Sequence, residues 1–126
     1  MTAAIYLGWI IAIVLIAVGL YALLAPHAVG HHYGVRVEGE RETAYVRATG
    51  IRDVAIGVVL AAIAYLHVLP LLIVVAAIGI IVSIVDLWIV VRHGGAHRPH
   101  AAHAIHASGI VAFVLVIAMA LFAVGR

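Results

Sequence analysis

Residues 54–91 read VAIGVVLAAIAYLHVLPLLIVVAAIGIIVSIVDLWIVV, and this stretch decides the fold. It carries one charge, Asp86, and one proline, Pro70. Its length is about twice the roughly 20 residues that a helix needs to cross a bilayer. Pro70, with a leucine on either side, divides it into two such runs. A connection that short predicts two helices packed as antiparallel neighbours. The apolar residues are continuous rather than alternating, which indicates helices and not the strands of a membrane barrel.

Reading outward, the helix before Pro70 begins near residue 42 and ends at 69, and the one after it covers 71–92. Upstream, Ala3 to Ala25 holds no charge and stops at Pro26. Met1 and Thr2 bring no basic side chain and the run is long for a signal peptide, so a retained spanning helix is expected over 3–25. A last apolar run predicts a helix over 102–124. The expected architecture is therefore all-α: one domain, residues 1–126, forming an antiparallel bundle of four transmembrane helices.

Composition agrees. The 126 residues are 67% hydrophobic and 10% charged, with a mean hydropathy of +1.29. An average soluble domain is roughly 45–50% apolar and about 25% charged. A chain this short cannot hide so much apolar side chain inside itself, and it is far too hydrophobic for disorder. The absence of cysteine removes disulfides, thiolate metal sites and cysteine nucleophiles. All seven basic residues are arginines, scattered beside apolar runs, so no nucleic-acid surface is expected. No cofactor is expected either.

The arginines predict orientation. Arg36, Arg41, Arg47 and Arg52 lie in or just after the first connection, Arg92 and Arg98 in the third, and only Arg126 on the opposite side. Positive residues accumulate in short cytoplasmic loops. Both termini are thus expected on the non-cytoplasmic side of the cell membrane.

Two acids interrupt apolar sequence. Asp53 lies 17 residues before Pro70 and Asp86 16 after it. At 1.5 Å per residue both sit about 25 Å from the turn, hence at one depth. Gly50, Gly57, Ala61 and Ala64 share the face of Asp53, and Gly79 and Ser83 that of Asp86. Small residues mark the faces on which membrane helices approach, so both acids are expected to point into the bundle. Tyr21 and His106 come to the same end of helices 1 and 4. A polar layer of Tyr21, Arg47, Arg52, Asp53, Asp86, Arg92 and His106 is expected there, near the cytoplasmic leaflet. Such groups are costly in a membrane and are usually retained for function, although acids and arginines can also pair simply to hold helices in register.

Histidines His93, His97, His100, His103 and His106 follow at intervals of four, three, three and three. On an unbroken helix that spacing would make a ladder of metal ligands. Gly94, Gly95 and Pro99 interrupt it, so His93, His97, His100 and His103 are weak metal candidates, read foremost as a solvated loop at the headgroups. Tyr6, Trp9, Tyr65 and Trp88 lie towards helix ends, as interfacial anchors do. His67, near the outer turn, reads as interfacial.

The segment YGVRVEGERETAYVRATGIRDVAIGVVL resembles the signature of the domain of unknown function (DUF) 4267 family. The matching positions are Tyr33, Gly34, Val35, Tyr45, Arg47, Gly50, Arg52, Asp53 and Gly57, with VDLWIVVRHG around Asp86 and Arg92 and a histidine opening helix 4, His106. The acidic EGERE insert and the His-rich third loop depart from the family pattern. The resemblance implies a four-helix membrane protein and no defined activity.

Three functions of different class fit these residues. The first is binding or conversion of a lipophilic small molecule, with Arg47, Arg52, Asp53, Asp86, Arg92 and Tyr33 as ligand contacts. Asp53, Asp86, His106 and Tyr21 are then the acid–base candidates, two carboxylates taking different roles once burial separates them. An arginine gripping an anionic headgroup is a variant of this reading. The second is a structural or accessory subunit whose polar layer only fixes register. The third is a proton-coupled transporter, which would need a second polar layer that the aliphatic outer halves lack. The expected partners are membrane lipid, the lipophilic ligand and a second copy, since Gly8–Ala12 and Gly57–Ala61 offer small-residue stripes for oligomerisation or for packing within the bundle.

Overall fold

A computed structural model describes residues 2–32, 36–93 and 100–125, apart from the side chains at 93 and 101. Helices are α1 (Ala3–Leu24), α2 (Pro26–His32), α3 (Glu40–Leu66), α4 (Leu69–His93) and α5 (His100–Val124). No strand occurs among the described residues. Helices α1, α3, α4 and α5 are each long and apolar enough to cross a membrane.

Two local expectations are corrected. Pro26 does not merely end the first helix. Ala25 breaks the chain with φ −133° and ψ 60°, and Pro26 then opens the short α2. Proline suits a first helical position because its missing N–H would have had no partner there. The same physics moves the central turn. The chain reverses at His67 and Val68, and Pro70 is already the second residue of α4. His67 closes α3 in the left-handed conformation (φ 56°, ψ 32°). Its N–H donates to the Ala64 carbonyl, and the Val68 N–H to that of Ile63, both at 3.3 Å. These are the two hydrogen bonds of a Schellman ending, which usually has glycine at the left-handed position.

The hairpin partners α3 and α4 are not the most closely packed helices. The broad contacts join α1 to α3 and α4 to α5. Gly19 and Gly50 cause the first. A Cβ on Gly19 would fall 2.5 Å from the Gly50 carbonyl oxygen, and one on Gly50 would fall 2.7 Å from that of Gly19. Seven residues on along α3, a Cβ on Gly57 would meet the Ala12 carbonyl oxygen at 2.9 Å. Contacts advancing along α3 while receding along α1 make the two helices antiparallel. The small stripes at Ala12 and Gly57 are therefore spent inside the bundle. Phe113 of α5 lies over Gly79 of α4, and Gly109 faces Ser83, so this pair is antiparallel too.

The bundle is thus two tight helix pairs laid side by side. At the end holding the His67 turn they close around Ile5, Leu60, Leu72 and Val116. Lipid tails are as apolar as these side chains, so close-packed dispersion rather than water exclusion joins the helices here. At the opposite end α2 packs back onto the α1–α3 pair, with Val29 clustered with Ala22 and Val46.

Candidate functional site

Between the two pairs, at the level the packed end does not reach, one side chain bridges the gap. Arg52 of α3 donates from Nη1 to Asp86 Oδ1 at 3.0 Å and from Nη2 to Asp86 Oδ2 at 2.8 Å. It also donates to Asp53 Oδ1, from Nη2 at 3.0 Å and from Nε at 3.2 Å. One guanidinium therefore holds two carboxylates, with side-chain exposures of 35% for Arg52, 12% for Asp53 and 16% for Asp86. Asp53 follows Arg52 directly, and only the length of the arginine lets its fork fold back over its neighbour while also crossing to α4. The bidentate grip on Asp86 uses the planar geometry that favours arginine over lysine.

Register brings in a fourth group. Ser83 lies beside Gly109. Three residues further along α4 is Asp86, and three residues back along α5 is His106. Antiparallel helices keep such positions level, and both side chains face the same space.

That space is a cavity of about 370 Å³ walled by all four long helices. Thr49, Arg52, Asp53, Asp86, His106 and Ser108 gather towards one end; Leu7, Ile10, Ile11 and Phe113 form the other. From Leu7 to Val18 the α1 wall is roughly 16 Å long and wholly aliphatic. The exposed wall residues are Ile10 and Val14 of α1 and Ile105 and Ser108 of α5. The cavity therefore opens sideways, between α1 and α5, onto the surface that would face lipid.

The expected polar layer is only partly assembled. Arg52, Asp53, Asp86 and His106 come together. Tyr21 does not line the cavity and is half exposed. The Gly19–Gly50 contact sets Asp53 level with residue 16 of α1, so Tyr21 stands about 7 Å further out along the helix. Arg47 is exposed, since five residues of α-helix turn it well away from Arg52. Arg92 is also exposed and lies over the Trp88 ring, 5.4 Å from its centre. Tyr33 and His97 lie outside the described residues, as does the His93 side chain; His100 is exposed and His103 half buried. Among the described residues no group of three His, Cys, Asp or Glu is arranged to hold a metal ion.

Thr49 and Ser108 are wall residues that sequence reasoning missed. Each satisfies itself within its own helix, Thr49 on the Tyr45 carbonyl at 3.2 Å and Ser108 on that of Ile105 at 2.7 Å. The signal for them was position: Thr49 precedes Asp53 by four residues, one helical turn.

An all-α bundle with four spanning helices and a polar layer buried at one end is a multi-pass membrane protein. The chain belongs to the DUF4267 family: the model of that domain of unknown function matches residues 12–121, which hold most of the four long helices and every cavity residue named above except Leu7, Ile10 and Ile11. No curated protein and no solved structure shows a significant match.

Proposed function

We propose that this protein binds a lipophilic small molecule inside the bundle, drawn sideways from the bilayer between α1 and α5. The observation that carries this reading is the cavity of about 370 Å³ with its polar groups at one end only. Ligand pockets are commonly apolar cavities of about 300–1,000 Å³ with a few convergent polar groups. A bundle that needed cohesion alone would close this gap with Gly, Ala and Ser, which it already uses elsewhere. Arg52 spends its donors on Asp53 and Asp86, so the variant in which an arginine grips an anionic headgroup loses its support. The apolar far end likewise offers no second polar station for a transporter. Asp53, Asp86 and His106 line the same end of the cavity, which keeps conversion within this reading.

The test is native mass spectrometry of the detergent-purified chain. Wild type should carry a lipophilic adduct; Ala112→Phe and Val82→Trp, which put bulk into the cavity, should fold and lose it. The second reading, a polar layer that only fixes register, draws on the full engagement of Arg52. It prevails if wild type carries no adduct while Asp86→Asn unfolds.

We further propose that the Arg-rich connections face the cytoplasm, with both termini outside the cell membrane. The chain has no native cysteine, so Glu38→Cys and Gly125→Cys can be labelled singly in intact cells. Labelling of Gly125→Cys alone by an impermeant maleimide is expected; the reverse pattern inverts the topology.

A further inference from the structure

We propose that Phe113 sets the length of tail this cavity accepts, so that the molecule bound carries one unbranched chain of about eight to ten carbons. The inference rests on the ligand-binding reading above and deepens it. The head lies at the level of Asp86 and His106, and the tail runs towards the apolar end. Phe113 is seven residues from His106 along α5, and Gly79 seven from Asp86 along α4. Seven helical residues rise about 10.5 Å. A carbon–carbon bond of about 1.5 Å advances an extended chain by about 1.25 Å, so about eight carbons reach the ring. The ring is a fixed stop. Phe113 is 4% exposed and rests on α4 where Gly79 has no side chain, since a Cβ there would lie 2.5 Å from it. Behind it the bundle is filled by Leu60, Leu72 and Val116, all fully buried, and Ile11 of α1 closes the same end. Width argues for a single chain. About 370 Å³ spread over the roughly 16 Å of α1 wall is a mean cross-section of about 23 Å². One hydrocarbon chain, in contact with its neighbours at about 4.5 Å, takes about 20 Å². A shorter tail leaves a void whose lining loses its contacts. A longer one must bend against Phe113 or turn out between α1 and α5.

Straight-chain primary alcohols from hexanol to tetradecanol, titrated into the full chain in nanodiscs of zwitterionic lipid, test this. They carry no charge, so the comparison does not depend on the protonation of the polar end. Binding is read from the emission of an environment-sensitive fluorophore on Ile105→Cys at the cavity mouth. Values are corrected with Ala112→Phe, which measures partition into the lipid alone. Corrected affinity should peak at about eight to ten carbons and be roughly threefold or more weaker for tetradecanol. Phe113→Ala should move the peak about three carbons longer, and Phe113→Leu, which serves if the alanine variant does not fold, by about one or two. Loss of packing alone would weaken every alcohol alike and leave the peak in place. A wild-type profile with no optimum below about twelve carbons, or an optimum that the folded Phe113 variants leave unmoved, overturns the stop but leaves the binding pocket standing. Specific binding of none of the alcohols overturns both.

Discussion

Arg52 and Asp86, thirty-four residues apart in the chain, meet through two parallel hydrogen bonds of 3.0 and 2.8 Å. They join α3 to α4 midway along a hairpin whose helices otherwise touch little. The same guanidinium holds Asp53, so one side chain ties the two tight helix pairs together across the cavity.

Removing the arginine should therefore cost more than removing one acid. Arg52→Met removes the guanidinium that both carboxylates share. Breaking a fully buried pair costs about 3–5 kcal/mol; with Arg52 roughly one-third exposed, about 2–3 kcal/mol is expected. Asp86→Asn, which leaves Arg52 on Asp53, should cost about 1–2 kcal/mol. Adding Asp53→Asn to Arg52→Met should restore part of the loss. Thermal unfolding in detergent checks this order, and a Met variant as stable as Asp86→Asn would show that the two acids do not depend on Arg52.

Gly19 and Gly50 should tolerate no side chain. An added methyl at either falls within 2.7 Å of a carbonyl oxygen on the facing helix, and backbone cannot rotate out of the way. Gly19→Ala and Gly50→Ala are each expected to destabilise by about 1–3 kcal/mol, the usual cost of overpacking, or more. Gly8→Ala is a milder control, because the atom met there is a leucine methyl at 3.1 Å.

At Gly79 the obstacle is itself a side chain. A methyl there would lie 2.5 Å from the Phe113 ring. Gly79→Ala should destabilise by roughly 1–3 kcal/mol, and pairing it with Phe113→Leu should recover much of that. Failure of the double variant to recover would mean that the α4–α5 backbones, not the ring, set the spacing.

His67 is expected to yield a stabilising substitution. It is the one non-glycine residue with positive φ among those described, and it ends α3 where glycine is the usual choice. His67→Gly should raise stability by about 0.5–1 kcal/mol without changing the cavity, which lies far along the bundle. A lowered unfolding temperature would show that the imidazole makes a contact worth more than the backbone strain.

Sequence places Tyr6, Trp9, Tyr65 and Trp88 as interfacial anchors; Tyr6, Tyr65 and Trp88 are exposed on the outside of the bundle, whereas Trp9 is half buried and packs against the core. Replacing Tyr65 with Ala should leave unfolding in detergent within about 0.5 kcal/mol of wild type, as exposed positions generally do. A larger loss would point to a packing role.

The four spans and their hairpin could be read from residue order alone, and so could the rough depth of Asp53 and Asp86, although with the turn at His67 and Val68 the two are offset by about one helical turn (roughly 6 Å), which the length of Arg52 spans. Hydropathy is a property of contiguous residues, and two helices joined by a short turn must keep positions equidistant from it level. Where each helix begins was less legible: Pro26 and Pro70 read as stops, yet each sits in a first helical turn, where a missing N–H costs nothing. Only the tertiary structure decided which helices pair and therefore which polar residues share the cavity. Gly19 resting on Gly50 slides Tyr21 outward, and Ser83 resting on Gly109 slides His106 level with Asp86. Those offsets come from backbone contacts between helices distant in the chain. Neither periodicity nor composition along one helix records how far it slides against another.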